Sequence, residues 1–155
     1  MRKLLCALVL ALCIVPVTFA QEEREAWRIA HHLIEIDIKV NSERENLLKV
    51  SSTANPHERE RVTLALDAVE RMQEGFGLIA ELGVLYVQME TPNDRKEILG
   101  SIRNHKAGVL PMAQDAVEKI NLALSQIRTP ALAIDLGKIR DYIQATVKEL
   151  EIWNP

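Results

Sequence analysis

The chain has 155 residues, 48% hydrophobic, 26% charged and 4% aromatic, with 6 glycines and 6 prolines. That composition excludes a collagen-like, low-complexity or disordered chain, and the length suits one domain rather than two. The formal net charge of −3, with no basic run, argues against nucleic acid or an anionic membrane surface as the main partner.

Residues 1–20 read as an address. Met1-Arg2-Lys3 is a short positive start, and Leu4 to Val15 carries no charge over 12 residues. Pro16 then breaks any helix, Thr18 and Ala20 supply small residues at −3 and −1, and Gln21-Glu22-Glu23 turns acidic. The pattern predicts a secretory signal peptide cleaved after Ala20. A transmembrane anchor is disfavoured, because the apolar run is too short for about 30 Å of hydrocarbon. So is a lipid anchor on Cys13, since bulky Leu12 precedes it where a small residue is required. Cleavage removes both cysteines, Cys6 and Cys13. The mature chain, 21–155, then has no thiol, which excludes thiol catalysis, disulfides, zinc–cysteine sites and C-x-x-C-H haem attachment. It keeps 17 basic against 22 acidic side chains, a net −5. An oxidising compartment with neither a disulfide nor an Asn-x-Ser/Thr acceptor points to a periplasmic or secreted bacterial protein, with no stable membrane insertion after the signal is removed.

Proline divides the remainder into four predicted helices, about 21–50, 56–90, 92–128 and 130–153. Asn55-Pro56, Thr91-Pro92 and Thr129-Pro130 each pair an N-cap residue with proline at the first helical position, where its missing N–H costs nothing. Glu58, three residues after Asn55, suggests a capping box, and Asp94 suits the positive end of the helix after Thr91. Apolar residues recur at helical spacing in all four segments: Ile29, Leu33, Ile36, Val40 in the first; Val62, Leu66, Val69, Met72, Phe76, Ile79, Gly83, Tyr86 in the second; Ile98, Ile102, His105, Val109, Met112, Ala116, Ile120 in the third; Leu132, Leu136, Ile139, Ile143, Val147, Leu150 in the fourth. With such short connections, neighbouring helices run antiparallel. The predicted fold is an all-α antiparallel four-helix bundle. Ile34 to Val40 alternates like a strand, but no partner strand exists and helix is favoured. Pro111 lies inside the third helix, where it removes a hydrogen bond and clashes with the Ala107 carbonyl, so a kink or break is expected there. Gly75 and Gly77 predict a weak or bent point in the second helix.

Catalytic signals are missing. Glu-x-x-His and His-x-x-x-His do not occur, nor do G-x-S-x-G, S-x-x-K or phosphate loops. His32 and Glu35 share a helical face as a surface pair, and His31 is placed to stack on Trp27 four residues earlier. Asp67, Glu70 and Glu74 read as a solvated face rather than acid–base machinery. His105 falls on the apolar stripe. A histidine buried between Ile102 and Val109 suits haem ligation, with a methionine (Met72, Met89 or Met112) as the second ligand.

One feature exceeds a plain bundle. Beside its core stripe the second helix carries a further apolar row, Leu78, Leu82, Leu85 and Met89, and Gly75 and Gly83 leave room for another backbone nearby. The row predicts a protein-partner or self-association surface. The reading is therefore an exported, non-enzymatic helical-bundle binding protein, such as an immunity or inhibitor protein, an envelope adaptor or a ligand-sensing domain. The alternative is a b-type haem electron carrier using His105 and Met112.

Overall fold

The computed structural model describes residues 21–155. The signal peptide and its cleavage after Ala20 lie outside the described residues. Within them the chain forms four helices and no strand: α1 Gln21–Ser51, α2 Pro56–Gln88, α3 Pro92–Leu124 and α4 Pro130–Ile152. The Ile34–Val40 alternation is absorbed into α1.

The helix starts follow the predicted chemistry, with one exchange of partners. Asn55 Oδ1 accepts the Glu58 N–H at 2.9 Å, and Thr91 Oγ1 accepts the Asp94 N–H at 3.2 Å. Thr129 makes no such side-chain cap. The Glu58 carboxylate does not turn back on its own helix to complete a capping box. It crosses to the start of α4, where Oε1 accepts the N–H groups of Arg128 and Thr129 at 2.6 and 3.1 Å, and Oε2 accepts the Thr129 hydroxyl at 2.9 Å. One buried carboxylate thus satisfies orphan donors at the start of a helix 70 residues away in sequence.

Each helix packs against its chain neighbours, and α4 returns to α1, so the four enclose one core in a four-helix bundle. Phe76, Ile29, Leu33, Met72, Ile79, Ile102, Ile120, Leu136, Ile139 and Ile143 are essentially inaccessible, as the spacings require. Cross-helix polar pairs sit at the rim: Tyr86 with Glu22, Gln73 with Asp37 and Arg44 with Glu70 link α1 and α2. Arg28 with Glu149 and Lys138 with Glu43 link α1 and α4.

Two glycines turn out to face inward. A Cβ on Gly75 would overlap the Val109 side chain of α3, and one on Gly83 would stand 3.0 Å from Ala30 Cβ and 3.1 Å from the Ala26 carbonyl of α1. The room expected for an outside backbone is therefore occupied by helices of the same chain. Helix α2 is unbroken through Gly75 and Gly77. Helix α3 likewise runs without interruption across Pro111, so the break is not what forms. Ala107, Gly108 and Pro111 are all exposed. The carbonyl that Pro111 leaves without its helical donor therefore lies on the solvent side, where water can serve it.

Candidate functional site

The second apolar row of α2 is a feature that the core absorbs only in part, beside single exposed apolar side chains elsewhere such as Ile38, Leu48, Leu122 and Ile134. Its members divide. Leu82 is half-buried against the core, and Met89 is half-buried at the end of the helix. Leu78 and Leu85, seven residues apart, point outward and are 38% and 40% exposed. Leu64 lies a further two heptads before Leu78 and is 47% exposed, so the exposed line extends beyond the sequence-predicted row, interrupted by Arg71. Its heptad spacing was the available signal.

The Gly75–Val109 contact fixes which way the line faces. Residues three, four and seven apart share a side of a helix. Leu78 and Leu82 therefore lie on the same side of α2 as Gly75, toward α3. By the same phase, His105 and Met112 flank Val109 on the α2 side of α3. The predicted partner row and the predicted ligand pair consequently border one face, the outer seam between α2 and α3.

His105 itself departs from expectation. It is exposed, and its Nδ1 lies 2.8 Å from the Ser101 carbonyl one turn earlier. The residue that leans inward at this level is Lys106, whose ammonium donates to the Trp153 carbonyl while Arg103 donates to the Pro155 carbonyl. Burial holds the Lys106 ammonium below the ordinary lysine range, against the opposing pull of Glu151. Met112 is 46% exposed, and the neighbouring Ala113 takes the core position. The expectation of an inward-facing histidine between Ile102 and Val109 is therefore corrected: the side chain points to solvent, where the core supplies no enclosure for a ligand bound through it.

His31 and His32 also exchange partners. His31 pairs with Glu35 at 3.5 Å, and His32 Nε2 lies 3.2 Å from the buried Thr146 hydroxyl of α4. Asp67, Glu70 and Glu74 are exposed, as a solvated face requires. Among the described residues no three His, Cys, Asp or Glu side chains are grouped to hold a metal ion, and no helix is long and apolar enough to cross a membrane.

Two further polar clusters serve the ends of the bundle. At one end Glu23 pairs with Arg95, whose guanidinium also donates to the Met89 carbonyl at 2.7 Å and lies 6.0 Å from the Tyr86 ring centre. Burial and the Glu22 carboxylate push the Tyr86 hydroxyl above its ordinary value. At the other end Glu58 sits in a shallow cleft of about 450 Å³ with Asn55, His57 and residues 125–128. The Arg128 N–H and the Thr129 hydroxyl hold the Glu58 carboxyl below its ordinary range, outweighing the effect of burial. Its oxygens are already engaged, so it is a clasp rather than a free acid or base. No family model, curated protein or solved structure matches the chain.

Proposed function

We propose that the protein is an exported helical-bundle binding protein that acts by contact rather than by catalysis. The observation that carries the reading is the exposed apolar line of α2 on the α2–α3 seam, Leu64, Leu78 and Leu85, beside half-buried Leu82 and Met89. Exposed apolar side chains gathered on one face mark an interaction surface more often than single scattered ones do. Asp67, Glu74 and Glu81 stand exposed on the neighbouring strip of α2. The fitting partner is a protein segment that presents apolar side chains flanked by basic ones, and the net acidity of the mature chain favours the same sign of partner.

The finer architecture belongs to the same reading. We infer an antiparallel order for all four helices: the falling pairs Glu22–Tyr86, Asp37–Gln73 and Arg44–Glu70 support it between α1 and α2, Arg28–Glu149 and Glu43–Lys138 support it between α1 and α4, and the short connections on either side of α3 support it there. A bend of α3 near Pro111 follows from the lost hydrogen bond and the ring's clash with the Ala107 carbonyl.

The test is affinity capture from envelope extract with the mature protein and with the double variant Leu78→Ser/Leu85→Ser, followed by light scattering of each alone. The reading expects a partner retained by the wild type and lost by a variant of unchanged helicity. Equal capture by both proteins refutes it. Loss of a wild-type dimer in the variant instead identifies a second copy as the occupant.

A further inference from the structure

Three of the four helices open on a five-membered ring: Pro56, Pro92 and Pro130 each occupy a first helical position. The described part of α1 opens on Gln21. We propose that Gln21 is a modification site and that the mature chain carries pyroglutamate there, an inference that rests on the export reading and on cleavage after Ala20. In the reaction the free α-amine of Gln21 attacks the carbon of its own side-chain carboxamide. A new N–C bond closes a five-membered lactam, the carboxamide C–N bond breaks, and ammonia leaves with a proton from the attacking nitrogen. No oxidant, reductant or second substrate is needed.

The structure supports this in three ways. Gln21 is exposed, and the contacts that hold this end of α1 start one residue later, with Glu22 on Tyr86 and Glu23 on Arg95. The first residue can therefore change without disturbing them. The first N–H groups of a helix have no intrahelical acceptor, so enclosing the amine in a ring removes no helical hydrogen bond. The lactam also deletes a positive charge at the positive end of the helix dipole.

The experiment expresses the full chain, with its own leader, in a bacterium that has a periplasm. The exported protein is kept at growth temperature, then analysed by intact mass and Edman sequencing beside the Gln21→Ala variant. The expected wild type is lighter than the Gln21-initiated chain by one ammonia and gives no Edman sequence, whereas the variant reads Ala-Glu-Glu-Arg. A wild type of full mass that reads Gln-Glu-Glu-Arg overturns the cyclisation and leaves export standing. A chain that begins at Met1 overturns the export reading and the cyclisation with it, and one that begins at another residue than Gln21 keeps export but overturns the cyclisation.

Discussion

Gly75 and Gly77 lie two residues apart in α2 and should respond in opposite directions to the same change. Replacing either by alanine gains helix propensity, about 0.8–1 kcal/mol in a helix interior. At Gly77 nothing stands within 4 Å of the added carbon, so the gain is realised whole. At Gly75 the new carbon overlaps a Val109 methyl and stands 3.2 Å from Val109 Cβ. Valine is stiff at χ1, and this one is 2% exposed, so it has little freedom to turn aside. Crowding a packed core costs about 1–3 kcal/mol. The net effect at Gly75 is then between neutral and about 2 kcal/mol destabilising, and the two variants should differ by about 1–3 kcal/mol.

Urea unfolding followed by circular dichroism reads this directly. With a slope of about 1–3 kcal/mol per molar, a 1 kcal/mol change moves the midpoint by roughly 0.3–1 M. Gly77→Ala should raise the midpoint and Gly75→Ala should not. The cause is checked by trimming the obstacle. In a cycle of Gly75→Ala with Val109→Ala, the double variant should be more stable than the two single losses predict, by about 0.5–3 kcal/mol. If Gly75→Ala stabilises as much as Gly77→Ala, α2 and α3 do not approach at Val109, and the placement of the α2–α3 seam fails with it.

Phe76→Ala should cost about 3–5 kcal/mol in chemical unfolding, because the ring is almost wholly buried; a cost under about 1 kcal/mol would remove it from the core. Leu78→Glu should leave helicity intact because the side chain is exposed, whereas Ile79→Glu, one residue on and fully buried, should abolish the fold in the same circular dichroism assay. Glu58 has a folded pKa below its ordinary value, so its contribution is fully present above the ordinary carboxylate range and is lost as pH falls through the folded value. The difference in urea midpoint between wild type and Glu58→Gln should therefore be largest near neutrality and shrink on acidification; a difference that is constant with pH would assign the loss to packing.

Helix limits were legible because three X-Pro pairs mark them locally, and the cap and proline act within one turn. The observed helices start at Pro56, Pro92 and Pro130, as the sequence requires. Core stripes were legible for α2 and α4, whose apolar residues recur without ambiguity. On α3 the steps are less decisive. Between Ile102 and Val109, a stripe can pass through residue 105 or 106, and periodicity alone favours the less charged histidine. What decides is the far end of the chain. The carbonyl of Trp153 stands over this turn and gives Lys106 an acceptor, while the long apolar stem of lysine packs where an imidazole would not reach solvent. Glu58 escaped for the same reason. Its signal within the sequence is a local capping box, and its partners lie 70 and 71 residues away.

Four of the polar groups inside this bundle share a role that bears on where function can reside. Glu23 is tied to Arg95, Tyr86 to Glu22, Thr146 to His32, and Glu58 to the start of α4. Each joins two helices that sequence places far apart, and each uses its hydrogen-bonding capacity in doing so. A buried carboxylate that already accepts three hydrogen bonds is poorly placed to abstract a proton from a substrate, because ionisation is stabilised and its lone pairs are engaged. The titratable groups at the two ends of the bundle therefore act as fasteners. Arg61 Nε and Gln126 Oε1 are buried without a partner, and single apolar side chains such as Ile38, Leu48, Leu122 and Ile134 are exposed on the other helices, but the apolar side chains that fall in one line are Leu64, Leu78 and Leu85 of α2, with Met112 on the facing flank of α3. Since the Gly75–Val109 contact draws α2 and α3 together beneath them, those side chains stand on a seam that is closed below and open above. A preorganised apolar ridge of that kind limits the ordering cost of docking a partner, and it is the reason the α2–α3 seam, rather than either polar end, carries the proposed function.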